Sequence, residues 1–353
     1  LPRAASSLFY DGRDRISATN AIAVARVGWP IDPGPVIGTS AEAYDTRKFG
    51  TSFQMPVGTS TGNYQQFEYA SLHIMASQDG TLVQVDANAD GTVDQTQTLN
   101  MGQTMFVNGG VQVGATVTAS KPVEVHEVTG DIGSTYESRT FAVRPTAQWS
   151  SGYFAPVTTT VAGQPHVVVL YNPGARAISV SYEGLSTTGT ITVPSKGNAT
   201  FNMPLNSAVH FFTVTGEAFY AVGANDAGAT TTGANQSQDW GYALMPDTSL
   251  TTSIIAPFAP GADDTSAPLG TPDANGSPIW VTPTSTTTVY VNYSGDRATG
   301  PHIAPDGSKY DVSFLVPKLG VQTIYNPTTF DMSKSVIFTT DSTGLAGGWG
   351  EDP

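Results

Sequence analysis

Three segments of the chain follow one pattern: FGTSFQMPVGTS (Phe49 to Ser60), WSSGYFAPVTTT (Trp149 to Thr160) and LTTSIIAPFAPG (Leu250 to Gly261). Each has an aromatic or apolar start, small polar residues, an apolar pair and then proline. An apolar segment follows each (SLHIMASQDG, HVVVLYNPGA, SPIWVTPTST), and then a V-x-V type segment (LVQVDA, ISVSYEG, VYVNYSGD). Glycine-containing turns lead into MGQTMFVNGG, SKGNATFNMP and KLGVQTIYNP, and the copies close on EVHEVTGD, FYAVGAND and LAGGWGED. Repetition at a spacing of about a hundred residues restricts the fold more than any other feature, because one supersecondary unit must account for each copy. Three copies explain a length of 353 residues without unrelated domains.

The repeated segments alternate Val, Thr, Ile and aromatic residues over short runs bounded by Gly, Pro, Asn and Asp, the signature of strands and turns. No stretch of about a dozen residues carries helical period with caps. The expected fold is all-β, with three tandem β-sandwich units of jelly-roll or immunoglobulin-like type, each with its own core. The boundaries are an N-terminal segment over 1–44 and units over 45–140, 141–241 and 242–353. The alternative is a β-propeller closed by the N-terminal segment, each unit supplying two blades. ISATNAIAVARVGWP, outside any complete copy, holds a strand that could edge a neighbouring sheet in the same chain or another.

Charged residues make up only 12% of the chain, and polarity is carried by Thr, Ser, Asn, Gln and Gly. The formal net charge of −14 opposes binding to nucleic acid or an anionic membrane surface and suits divalent cations. Cysteine is absent, which removes disulfides, thiolate metal sites and cysteine nucleophiles together. No apolar run is long enough to span a membrane, so no membrane insertion is expected, and the start lacks a signal-peptide core. The expectation is a trimmed product or a piece of something longer.

The most chemically loaded string is VDANADGTVDQ, Val85 to Gln95. Asp86, Asn88 and Asp90 alternate, Gly91 permits a sharp turn, Thr92 offers its carbonyl, and Asp94 follows. Those are five ligand positions of a calcium loop, since Ca2+ wants six to eight hard oxygens. The match stops at Gln97, where a bidentate glutamate belongs. Strand-like flanks make it a calcium-type loop on a hairpin with a structural Ca2+; the competing reading is a hydrated Asn/Asp/Gly turn. A weaker second site is expected at Asn292, Ser294 and Asp296, with Asp306 and Asp311 nearby.

His73, His126, His166, His210 and His302 have no metal-ligand spacing. In PVEVHEV, alternation puts Glu124 and His126 on one face, read as solvated in preference to a proton relay. No nucleophile elbow, phosphate loop or dinucleotide fingerprint occurs. A glycosidase pair would come from Glu124, Glu127, Asp131, Glu137 and Asp226, although Asp131, Asp226 and Asp352 hold similar repeat positions and read as shared architecture. Trp29, Trp149, Trp240, Trp280 and Trp349 are assigned to packing before sugar stacking. Sequons at Asn198, Asn235, Asn275 and Asn292 carry little weight in so Thr- and Ser-rich a chain.

The segments YDGRDRISATN, AYDTRKFGTSFQMPVG, QDGTLVQVDANADGTVD, GATVTASKPVEVHEVTGDIGSTYESR and GGWGEDP resemble the N-terminal β-rich region of large secreted bacterial surface proteins, which precedes arrays of immunoglobulin-like repeats. GQTMFVNGGVQVGATVTASKPVEVHEV is similar to the bacterial domain named for its likeness to IgG-Fc-binding proteins. The resemblance implies a secreted, cell-surface or matrix location and a structural or adhesive role, and it supplies no catalytic residues. The function expected is a non-enzymatic extracellular scaffold or adhesin. Its partners would be other copies of itself, as in a filament or sheath subunit joined through residues 1–27, other surface proteins, or glycans. The alternative is a carbohydrate-binding module or polysaccharide-active enzyme.

Overall fold

A computed structural model describes residues 16–28, 39–62, 65–130, 138–159, 165–224, 241–259 and 278–350. The chain is all-β: 49% of these residues are strand and 4% helical, with no helix of seven residues or more. Near the N-terminus β1 (Ala25–Gly28) pairs antiparallel with β2 (Thr39–Glu42). The strand expected in ISATNAIAVARVGWP thus exists, but its partner is local.

A first set follows: β3 (Gly50–Gln54), β4 (Tyr69–Ala76), β5 (Thr81–Asp86), β6 (Gln95–Leu99), β7 (Thr104–Val107), β8 (Thr116–Gly130) and β9 (Ser138–Val143). The second comprises β10 (Gly152–Ala155), β11 (Val167–Asn172), β12 (Ile178–Gly184), β13 (Thr188–Val193), β14 (Gly197–Asn202), β15 (Val209–Phe212), β16 (Tyr220–Ala224) and β17 (Gly241–Ala243). After the short β18 (Met245–Pro246), the third runs through β19 (Ser253–Ile255), β20 (Ile279–Pro283), β21 (Thr287–Asn292), β22 (His302–Ile303), β23 (Lys309–Tyr310), β24 (Val312–Val316), β25 (Gln322–Ile324), β26 (Val336–Phe338) and β27 (Leu345–Trp349).

The sheets recur in one order. The second set forms β13-β12-β15-β10-β18 and β14-β11-β16-β17, and the third forms β24-β21-β26-β19 and β25-β20-β27. In the first set the long β8 serves both sheets: its start pairs with β5 and β3, its end with β4 and β9. That gives β6-β5-β8-β3 and β7-β4-β8-β9, the same pairing scheme. Most successive strands thus cross between sheets, hairpins such as β5–β6 and β12–β13 excepted, whereas a propeller builds separate blades around a channel. The segments matched by self-comparison occupy corresponding strands, and a 3-10 turn precedes each first strand: Thr46–Lys48, Thr146–Gln148 and Asp247–Ser249.

The third set buries Ile279 and Val281 of β20 with Val289 and Val291 of β21, Ile337 of β26 and Leu345 of β27, so both its sheets feed one core. Each such side chain contributes about 1.5–3 kcal/mol relative to exposure. The first two sets depart from separate cores. One apolar cluster runs from Phe53 and Leu72 through Val169 and Phe211 to Leu244. The reason lies in β11, whose six residues are all buried. A strand covered on both faces reads as the continuous apolar run VVVLY, without the alternation of a strand wet on one side.

Hydrogen bonds close this seam. The Tyr171 hydroxyl donates to Gln54 Oε1 (3.0 Å), and Asn198 Nδ2 donates to the Pro56 carbonyl (3.0 Å). The Tyr220 hydroxyl accepts from the Arg144 N–H (3.0 Å) and donates to the Ala142 carbonyl (3.2 Å). Between the second and third sets, Ala208 N–H donates to the Leu319 carbonyl (3.0 Å), and Lys318 Nζ meets Glu183 at 2.8 Å. Phe154, Ala208, Leu319 and Ala346 form an apolar patch beneath them.

Candidate metal-binding loop

The loop between β5 and β6 begins on a strand with one buried face, so Asp86 enters at the margin of the core and is 7% exposed. The main chain then folds back through positive φ at Ala89 (61°) and Gly91 (90°). Glycine suits the second position, where a side chain would be disfavoured. The turn makes each alternate side chain reach forward to a later N–H. Gly91 N–H donates to Asp86 Oδ2 (2.8 Å), Asp90 N–H to Asn88 Oδ1 (2.9 Å) and Thr92 N–H to Asp90 Oδ1 (2.7 Å). Asp94 Oδ2 accepts from Ala87 N–H (2.8 Å) and Asn88 N–H (3.3 Å). The Thr92 N–H, above all, lowers the Asp90 carboxyl below the usual aspartate value, favouring its anion.

The five residues singled out by spacing therefore lie on one hydrogen-bonded loop. Among the described residues no group of three or more His, Asp or Glu side chains is placed to hold a metal. The oxygens on offer are mixed: carboxylates, the Asn88 amide oxygen and the Thr92 carbonyl. Gln97 lies on β6, opposite Val83, outside the loop. One acceptor stands out: Asp86 Oδ1 is buried and has no hydrogen-bond partner.

The Asn292 loop is organised differently. Asn292 is fully buried, and its Nδ2 donates to the carbonyls of Asp296 (3.1 Å), Thr299 (2.7 Å) and Lys309 (3.1 Å), while Oδ1 accepts from Ser294 Oγ (2.8 Å). The amide nitrogen thus gathers the carbonyls that a cation would otherwise gather. Asp296 caps Ala298 N–H (2.9 Å), Asp306 pairs with Arg297 (2.7 Å), and Asp311 accepts from Tyr293 N–H (2.8 Å). This geometry gives no support to the expected weaker metal site.

His126 corrects an expectation: it is 5% exposed, so its strand face is covered, not solvated. Its Nε2 lies 3.4 Å from Glu124 Oε1. On the neighbouring strand, the carbonyl of Ala142, the residue opposite His126, accepts from the Tyr44 hydroxyl (3.0 Å). Nothing in PVEVHEV announces that contact, which joins two residues 98 apart in the chain, Tyr44 and Ala142.

Glu127 points the other way. It is fully buried on the face shared with Val123 and Val125, opposite Leu72 and Phe141, and neither carboxylate oxygen has a partner. Burial pushes its carboxyl well above the ordinary glutamate range. The alternation that set Glu124 and His126 together also places Glu127 with the valines, a signal available in the sequence and not drawn on. Asp131, Glu137, Asp226 and Asp352 lie outside the described residues.

The described tryptophans are packed. Trp149 stacks on Tyr220 (centroids 5.1 Å apart) and donates to the Arg144 carbonyl (3.0 Å), Trp280 is 1% exposed beside Val157, and Trp349 packs on the third-set core. Trp29 and Trp240 lie outside the described residues, as do the sequons at Asn235 and Asn275. Among the described residues no helix is long and apolar enough to cross a membrane. No family model, curated protein or solved structure matches the chain.

Proposed function

We propose that the chain is a non-enzymatic structural or adhesive protein of an extracellular surface or matrix, holding other copies of itself or other surface proteins, or glycans. The observation that carries this reading is the way successive strand sets are joined. One apolar cluster passes from the first set into the second, and main-chain and side-chain hydrogen bonds cross both seams. Sets fused in this way form a continuous body that resists separation, the property a scaffold requires. With no cysteine in the chain, packing and hydrogen bonds alone would hold such a body together.

Pairing of β1 with β2 in the same chain favours assembly through sheet edges such as β6, β13 and β24 over donation of the N-terminal strand. Electron microscopy of the purified chain, run beside a glycan-binding and polysaccharide-hydrolysis screen, tests the reading. Assembly or adhesion without turnover is expected. Turnover of any glycan polymer would overturn it in favour of a polysaccharide-active enzyme.

A further inference from the structure

We propose that the loop from Asp86 to Asp94 binds one calcium ion, a site independent of the scaffold reading. The carboxyl of Asp86 is held inside the loop, because Oδ2 takes the Gly91 N–H from across the turn. Its other oxygen, Oδ1, is buried and lacks any partner, on a residue only 7% exposed. A buried carboxylate oxygen facing no donor is costly unless a cation or water meets it. Asn88, Asp90 and Asp94 bring further oxygens to the same short loop, and the Thr92 carbonyl adds a main-chain donor.

An all-oxygen set of mixed charge suits a hard cation, and flexible coordination by carboxylate, amide and carbonyl together suits Ca2+ better than Mg2+. Without a bidentate glutamate at Gln97, water completes the shell, and the affinity falls in the extracellular range of about 10⁻⁴ to 10⁻³ M. The Asn292 loop provides the contrast within one molecule: its buried amide nitrogen holds three carbonyls, whereas the exposed Asn88 amide nitrogen meets only Asp90 Oδ2 (3.1 Å) and leaves Asp86 Oδ1 without a donor.

The position carries a consequence. The Ala87 carbonyl accepts the Gln112 N–H (2.8 Å), and the same turn brings Gly114 to the seam, where a Cβ would stand 3.7 Å from Ala89 Cβ and 3.3 Å from the Tyr171 hydroxyl. The ion therefore sits one turn away from the second set.

The test is calorimetric titration of the chelator-treated full chain with calcium chloride, paired with melting curves in calcium and in EDTA. Uptake of one ion and a higher melting temperature in calcium are expected. Asp86→Asn and Asp90→Ala should each weaken binding roughly tenfold or more. Asp90 is exposed, so its variant keeps the result readable if loss of the buried Asp86 charge impairs folding. No uptake by the parent chain, or parental affinity in folded Asp90→Ala, would overturn the proposal.

Discussion

Replacing Glu127 by glutamine should change how stability depends on pH. The carboxyl is fully buried between Leu72 and Phe141, it has no hydrogen-bond or ion-pair partner, and Arg139, the cation nearest in register, lies opposite Thr129. Desolvation lifts its folded-state pKa well above the ordinary 4.5. A raised folded-state pKa means that the folded protein holds a proton which the unfolded chain releases. The contribution is complete below pH 4.5 and is lost as pH rises toward the folded-state value. Across that window the parent chain loses roughly 1–1.5 kcal/mol per pH unit through this one group. Glu127→Gln keeps the shape and cannot ionise, so this slope disappears.

The assay is urea unfolding of both proteins between about pH 5 and about pH 7, read as the difference in unfolding free energy. All other titrations are common to the pair and cancel. The difference should grow with pH in favour of the glutamine variant. Parallel curves across the range would refute the assignment of Glu127 as a buried neutral acid.

Asn292→Ala should destabilise the third set by about 2–4 kcal/mol, because three carbonyls lose the amide that gathers them; limited proteolysis and urea unfolding measure it. Tyr220→Phe removes the hydroxyl shared by Arg144 N–H and the Ala142 carbonyl, and a loss of about 1–2 kcal/mol is expected in the transition of the first two sets. Gly241→Ala would put a Cβ 2.5 Å from the Phe141 ring, so β17 must shift from β9, and a cost of about 1–3 kcal/mol should appear as a lowered melting temperature.

Strand positions were readable where the chain alternates between a core and solvent, as in LVQVDA, or runs apolar between two covered faces, as in HVVVLYN. The common pairing order is legible as repetition because equivalent strands need equivalent residues. The Asp86–Asp94 loop is local, and its alternating side chains meet main-chain N–H groups within the same turn. What escaped depends on distant surfaces. His126 alternates as an outward residue, yet it is buried, and a strand's own alternation does not say whether its second face will be covered. The joining of the first two cores arises because β11 is covered on its second face as well, and a run of apolar residues does not say which neighbour supplies the cover. Asn292 matched a ligand triplet by type, yet an amide presents nitrogen as readily as oxygen, and only the surrounding carbonyls decide which.

The strand Thr116–Gly130 also has a mechanical meaning. It threads both layers of the first set as one backbone, so a tear that starts at either margin meets a covalent strap before the layers part. In the later sets, reversals between Phe212 and Tyr220 and between Phe338 and Leu345 take its place, so a loop and not a strand carries that connection.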